Sequence, residues 1–168
     1  MPVEIERKFL VKDDAWRSQV YEQREIRQGY MANNERCSVR VRVSNQSANI
    51  NIKSMTYGVS RAEYEYPIPV EEAHELLNTL CKIPLIEKTR YLVKHAGKVW
   101  EIDEFAGDNQ GLTVAEIELE SESESFELPA WVDREVSTLE RYYNMRLTHY
   151  PFKDWSEFEQ LAQDVHEV

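Results

Sequence analysis

The chain has 168 residues, 42% of them hydrophobic and 30% charged, with a formal net charge of −11. That length suits one domain with a sizeable core, and the acidic balance excludes a nucleic-acid binder that works by neutralising phosphates. No apolar run approaches the ~20 residues that span a bilayer. The opening carries charges at Glu4, Glu6, Arg7 and Lys8, unlike a secretory leader. Cys37 and Cys81 read as two small buried side chains in a reducing cytoplasm, because two thiols make neither a disulfide framework nor a metal site.

Residues 3–10 predict the first strand, with Val3, Ile5 and Phe9 on one face and Glu4, Glu6 and Lys8 on the other. Successive charges on that face stand about 7 Å apart. Carboxylates at that spacing can share a hard cation, and a lysine beside them can hold an anion that the cation also touches. Asp13-Asp14-Ala15-Trp16 predicts a short helix with an aspartate N-cap. A second strand is expected over residues 25–31, ended by the Asn33-Asn34 turn signal. A third, over 36–44, sets Cys37, Val39, Val41 and Val43 against Arg36, Ser38, Arg40 and Arg42. Gln46-Ser47 turns into a fourth strand, where Ile50 and Ile52 oppose Asn49, Asn51 and Lys53. The fifth, over 61–66, carries Arg61, Glu63 and Glu65 on one face and stops at Pro67.

Residues 70–80 predict an amphipathic helix with Ala73, Leu76, Leu77 and Leu80 on its apolar stripe and a solvated His74. A sixth strand over 86–95 carries Lys88 and Arg90 on one face, and Ala96-Gly97 turns it into a seventh over 99–105 with Glu101 and Asp103 in register. The eighth, over 112–120, opposes Ala115, Ile117 and Leu119 to Glu116, Glu118 and Glu120. An acidic, Ser-rich connector over 121–127 leads to a turn and short helix within 129–143, and 154–165 predicts an acidic amphipathic helix. About eight strands with short connections indicate an antiparallel sheet or barrel with helical additions.

The polar faces are dense in long charged side chains. Arg40, Arg42, Lys53, Arg61, Lys88 and Arg90 form a basic set; Glu4, Glu6, Glu63, Glu65, Asp103, Glu116 and Glu118 form an acidic one. If the sheet closes with this face inward, the basic side suits a polyphosphate and the acidic side its metal. Periodicity leaves open which face is inside; a solvated charged surface is the alternative.

Glu4-Ile5-Glu6-Arg7-Lys8 resembles the ExExK signature of the CYTH family, the triphosphate tunnel metalloenzymes. Arg27-Gln28-Gly29-Tyr30, Arg40-Val41-Arg42, Lys53, Arg61-x-Glu63-x-Glu65, Glu87-Lys88-Thr89-Arg90-Tyr91, Asp103 and Ala115-Glu116-Ile117-Glu118 follow in family order. Trp131, Glu135-Val136-Ser137 and Arg141-Tyr142-Tyr143-Asn144 are also similar to bacterial members, so the resemblance covers roughly residues 2–150. It implies an α+β, mainly antiparallel fold: an eight-stranded closed β-barrel with a charged lumen and peripheral helices. The whole of 1–168 is expected to be one domain, with an extra acidic helix from about 154.

By the same resemblance, Arg40, Arg42, Lys53, Lys88 and Arg90, helped by Arg61, would bind triphosphate oxygens. Glu4, Glu6, Glu116 and Glu118 would hold Mg²⁺ or Mn²⁺, with Glu63, Glu65 and Asp103 completing the acidic wall. Zinc does not suit a set without clustered Cys or His. Lys8 and Tyr30 are the catalytic candidates: the ammonium could favour a tyrosinate that takes a proton from water, or Tyr30 could simply line the tunnel. There is neither a Walker-type loop nor a Gly-x-Ser-x-Gly elbow. The implied activity is metal-dependent hydrolysis of inorganic triphosphate to pyrophosphate and phosphate. A class IV adenylate cyclase and a non-catalytic polyphosphate-binding module are the alternatives. The implied partner is a small-molecule polyphosphate, without nucleic acid or membrane, and the protein is expected to be a cytoplasmic monomer or homodimer.

Overall fold

A computed structural model describes residues 2–56 and 58–165. Nine strands make one antiparallel sheet: β1 (Val3–Val11), β2 (Val20–Asn33), β3 (Cys37–Ser44), β4 (Ser47–Ser54), β5 (Ser60–Pro67), β6 (Ile86–His95), β7 (Lys98–Phe105), β8 (Thr113–Glu118) and β9 (Val132–Glu135). Their order is β5-β4-β3-β2-β6-β7-β8-β1-β9, and pairing of β1 with β5 closes the first eight into a barrel. Closure leaves no open edge among those eight, which suits strands as alternating as these. The helices are α1 (Val70–Thr79), α2 (Asn144–Leu147) and α3 (Glu157–Gln160). Among the described residues no helix is long and apolar enough to cross a membrane.

The apolar faces point outward and are covered from outside. α1 lays Ala73 and Leu77 on Val41, Val43 and Ala48 of β3 and β4. Trp16 and Trp131 cover Phe9, Trp100, Ile102, Ala115 and Ile117 of β1, β7 and β8. With this core on the outside, the charged faces turn inward. Toward one end of the lumen the inward positions become apolar: Leu10 follows Lys8, Ile86 precedes Lys88, Phe105 follows Asp103 and Val114 precedes Glu116. These side chains pack with Val136, Tyr142, Leu147 and Trp155. The C-terminal segment thus seals that end.

Several local expectations are corrected. Strand β2 begins at Val20, and β9 lies where only a turn and short helix were expected. Leu80 is 62% exposed because α1 stops at Thr79. His74 is half-buried with Nδ1 3.1 Å from the Arg27 guanidinium, so it is not simply solvated. Asp14 makes no side-chain cap; Asp13 Oδ1 accepts from the Ala15 amide instead, over a 3₁₀ turn. Cys37 and Cys81 are only half-buried: Cys37 opens β3, and Cys81 lies against Gly29, where an added Cβ would come within 2.9 Å of its own Cβ. The long acidic helix over 154–165 is absent. Asp154 ends a 3₁₀ turn, Ser156 opens the short α3 with a capping box, and the left-handed Ala162 lies just beyond it. Arg141 pairs with Asp164 and Arg134 donates to the Ala162 carbonyl, tying the segment down.

Candidate active site in the barrel lumen

The barrel encloses a cavity of about 900 Å³. Of the site residues proposed from sequence, all but Lys88 and Asp103 line it. Register explains the gathering, because alternate residues of each strand share the inward face. Glu6 lies opposite Glu118 and Lys8 opposite Glu116 between β1 and β8; Glu4 lies opposite Arg61 between β1 and β5. In the ring, β8 stands four places from β3 in either direction, so the Glu116 and Glu118 strand faces the Arg40 and Arg42 strand across the lumen.

Most cations are held by carboxylates. Lys53 Nζ is 2.7 Å from Glu4 and 3.7 Å from Glu63; Arg61 is 3.7 Å from Glu6. Lys8 Nζ sits 3.3 Å from Glu116 and 3.8 Å from Glu6. Burial lowers the Lys8 ammonium, but Glu116 and Glu6 more than reverse this and hold it above its ordinary value. Lys8 and Arg61 both lie over the Tyr143 ring, 5.2 and 5.4 Å from its centre. Tyr143 donates to the Ser137 carbonyl and accepts from the Gly58 amide. The aromatic ring against Lys8 is therefore Tyr143. Tyr30 lines the cavity opposite Arg40 in the β2–β3 register.

Arg40 and Arg42 differ from these cations. Both line the cavity, and neither is within ion-pair distance of a carboxylate among the described residues. Arg40 is buried, and its Nε has no hydrogen-bond partner. Arg42 Nε donates to the neutral Gln28 Oε1 at 2.8 Å. Burial, with the Arg40 and Arg90 charges nearby, pushes Arg42 down to about 9.

Lys88 and Asp103 form a layer beneath the cavity. Lys88 Nζ donates to Asp103 Oδ2 at 2.7 Å and to Asn144 Oδ1 at 2.8 Å. Asp103 also accepts two bonds from Arg90, at 2.7 and 2.9 Å. Burial pushes Asp103 up, but Arg90 and Lys88 hold it well below the usual carboxylate range; burial takes Lys88 down to about 7. Neither group faces the cavity, because β6 and β7 bring them to the level of the apolar seal.

Glu101, Tyr143 and Asn144 also line the cavity but were not among the sequence candidates. Glu101 bonds Arg90 at 2.9 Å, and its place two residues before Asp103 on β7 was a legible signal. Tyr143 and Asn144 lie outside any strand, so alternation could not reveal them. Asn51, buried, donates to Glu63 and Glu65 at 3.1 and 2.9 Å and fixes that pair.

The acidic wall has oxygen donors only, the chemistry of a hard divalent cation. Glu118 makes no ion pair among the described residues; burial, then Glu4, Glu101, Glu63 and Glu6, push its carboxyl up. A divalent cation would relieve that crowding of negative charge. No three His, Cys, Asp or Glu side chains are gathered at ligating distance among the described residues, because Lys8, Lys53 and Arg61 stand between the carboxylates.

The CYTH domain model matches residues 2–146. An inorganic triphosphatase from Acetivibrio thermocellus is 46% identical over 157 residues, covering 94% of this chain and 100% of that one. An inorganic triphosphatase from Nitrosomonas europaea is 36% identical over 150 residues, covering 86% and 95%. A crystal structure of an inorganic triphosphatase superposes with a TM-score of 0.62 at 32% identity, over 88% of this chain and 95% of that one. A closed barrel with inward charges, a family match over most of the chain and these identities agree: the chain belongs to the CYTH family.

Proposed function

We propose that the protein hydrolyses inorganic triphosphate to pyrophosphate and phosphate inside the barrel, with Mg²⁺ or Mn²⁺ as the divalent ion. The observation that carries this reading is the arginine pair of β3, Arg40 buried and Arg42 half-buried, which lack carboxylate partners among the described residues and stand across the lumen from an acidic wall. Guanidinium groups withdrawn from bulk water without counter-charge call for an anion. The activity borne in the names of the 46% and 36% identical relatives supports the same substrate.

In this reading Arg40, Arg42 and Arg90 bind phosphate oxygens by their planar forks, and Lys53 and Arg61 add point contacts nearer the acidic wall. Glu4, Glu6, Glu116 and Glu118 hold the metal, with Glu63 and Glu65 beside them. When bound, the metal supplies Lewis-acid charge neutralisation and a lowered pKa for the attacking water. Lys8, between Glu6 and Glu116, keeps those carboxylates in place and offers its ammonium to the phosphoryl group. Tyr30, opposite Arg40, presents its hydroxyl on the basic side, where it orients a phosphate oxygen. Asp103 holds Arg90 from below and is itself bonded by Lys88, and neither touches substrate. The remaining work is positioning and charge stabilisation as the terminal phosphoryl leaves. We place the protein in the cytoplasm, as a monomer or homodimer, with 1–168 acting as one unit because its C-terminal segment packs into the barrel's end.

The test is incubation with Mg²⁺ and either tripolyphosphate or ATP. Phosphate plus pyrophosphate from tripolyphosphate is expected. Cyclic AMP from ATP would instead indicate a cyclase, and no product from either a binding module.

A further inference from the structure

Arg90, buried, and Arg42, half-buried, both line the cavity, but they are held by opposite means. Arg90 is gripped by Asp103 and Glu101, so its charge is already balanced. Arg42 is gripped at Nε by Gln28, whose side chain is fully buried on β2 directly opposite Arg42 in the register. Gln28 Nε2 in turn donates to Asn144 Oδ1 at 3.2 Å, and Asn144 Oδ1 also accepts from Lys88. Both amides are oriented by this chain: an oxygen of Gln28 must face the Arg42 donor, which leaves its nitrogen for the Asn144 oxygen.

We propose that Gln28 is a positioning residue that aims Arg42 into the lumen without discharging it. A carboxylate of the same length could hold the guanidinium equally well, but it would cancel the charge that an incoming anion needs. A neutral acceptor, itself fixed by Asn144, sets the direction of the fork and leaves its full charge for the ligand. Gln28 does not touch the substrate; it acts through Arg42. The inference rests on the reading of the lumen as a triphosphate site.

Three variants are compared with wild type by steady-state kinetics on tripolyphosphate with Mg²⁺. Gln28→Glu keeps the size of the side chain and adds the charge; kcat/KM is expected to fall about tenfold or more, mainly through KM. Gln28→Met keeps the approximate volume and removes the acceptor; kcat/KM should fall several-fold. In an Arg42→Gln background, the further change Gln28→Met should cost less than twofold, because the group it aimed is gone. A Gln28→Glu enzyme with wild-type KM, or Gln28→Met losses equal in both backgrounds, would overturn the proposal. A wild-type protein that neither hydrolyses tripolyphosphate nor is stabilised by it would overturn the lumen reading itself, a different outcome.

Discussion

The lumen sorts its charged side chains by what neutralises them. Lys53 has Glu4, Lys8 has Glu116 and Arg90 has Asp103, while Arg40, Arg42 and Glu118 make no ion pair among the described residues. Glu116→Gln removes a charge from the acidic wall with little change in shape. Turnover is expected to fall by roughly 10²-fold or more, with the fold intact by circular dichroism; near-wild-type turnover at low Mg²⁺ would remove Glu116 from the metal wall. Tyr30 lies opposite Arg40 in the register, and the Lys8 ammonium lies against Glu6, Glu116 and the Tyr143 ring. Tyr30→Phe is therefore expected to raise KM several-fold with kcat within about twofold, the mark of a binding group. A loss of roughly 10²-fold in kcat would make Tyr30 the general base instead. Alternation made most of these residues legible because it assigns each to a face. It carries no information about height along the barrel axis, so it could not tell that Lys88 and Asp103 lie below the cavity floor while Arg90 and Glu101 line it.

Among the elements, β1 does most to organise the site. Its first part closes the barrel on β5, its middle pairs with β8, and its end pairs with the short β9. The same backbone that carries Lys8 is paired with β8 on one edge and fixed by the segment after β9 on the other: the Lys8 amide donates to Ser137 Oγ at 2.9 Å, and the Val136 amide donates to the Lys8 carbonyl at 2.8 Å. Arg7 completes the junction with a two-point pair to Glu135, whose carboxylate also accepts from Ser137 at 2.6 Å. Burial pushes the Glu135 carboxyl up, but the bonds from Arg7 and Ser137 outweigh it and hold it below its ordinary 4.5. A folded value below the unfolded one means that the stabilisation is complete above about pH 4.5 and is lost as pH falls through the folded value. Glu135→Gln should therefore cost about 1 kcal/mol at pH 7, or about 2–4 °C in Tm, with allowance for partial exposure. Melting near pH 3 should show a narrower gap; an equal gap at both pH values would mean that packing, not the ion pair, is responsible. The eight barrel strands were legible from their alternation, but β9 was not. Val132-Asp133-Arg134-Glu135 is too short to show a period, and tertiary pairing with β1 creates it. The acidic run after Asp154 has helical spacing, yet packing of Trp155 into the barrel's end and a left-handed Ala162 leave it only one helical turn.

As a whole the molecule joins a net charge of −11 to a basic wall hidden inside a barrel. An exterior that repels anions is compatible with binding them, because low-dielectric walls focus the field of the inward arginines. The family's barrel could be read from the ordered motifs, and with it the inward direction that periodicity left open. The sealed end could not, since it depends on a C-terminal segment without strand or long-helix periodicity folding back onto Ile86, Phe105 and Val114. The central claim is that the lumen's unbalanced arginines bind triphosphate, and thermal melting of wild type and Arg40→Ala tests it. Each protein is heated with and without tripolyphosphate, with Ca²⁺ replacing Mg²⁺ to suppress turnover. Without ligand, Arg40→Ala is expected to melt no lower than wild type, because repulsion with Arg42 is relieved. With ligand, the rise in Tm should be clearly smaller in the variant, as affinity falls several-fold and stabilisation follows RT ln(1 + [L]/Kd). An equal ligand-induced rise in both proteins would mean that Arg40 does not meet the substrate, and would contradict the claim.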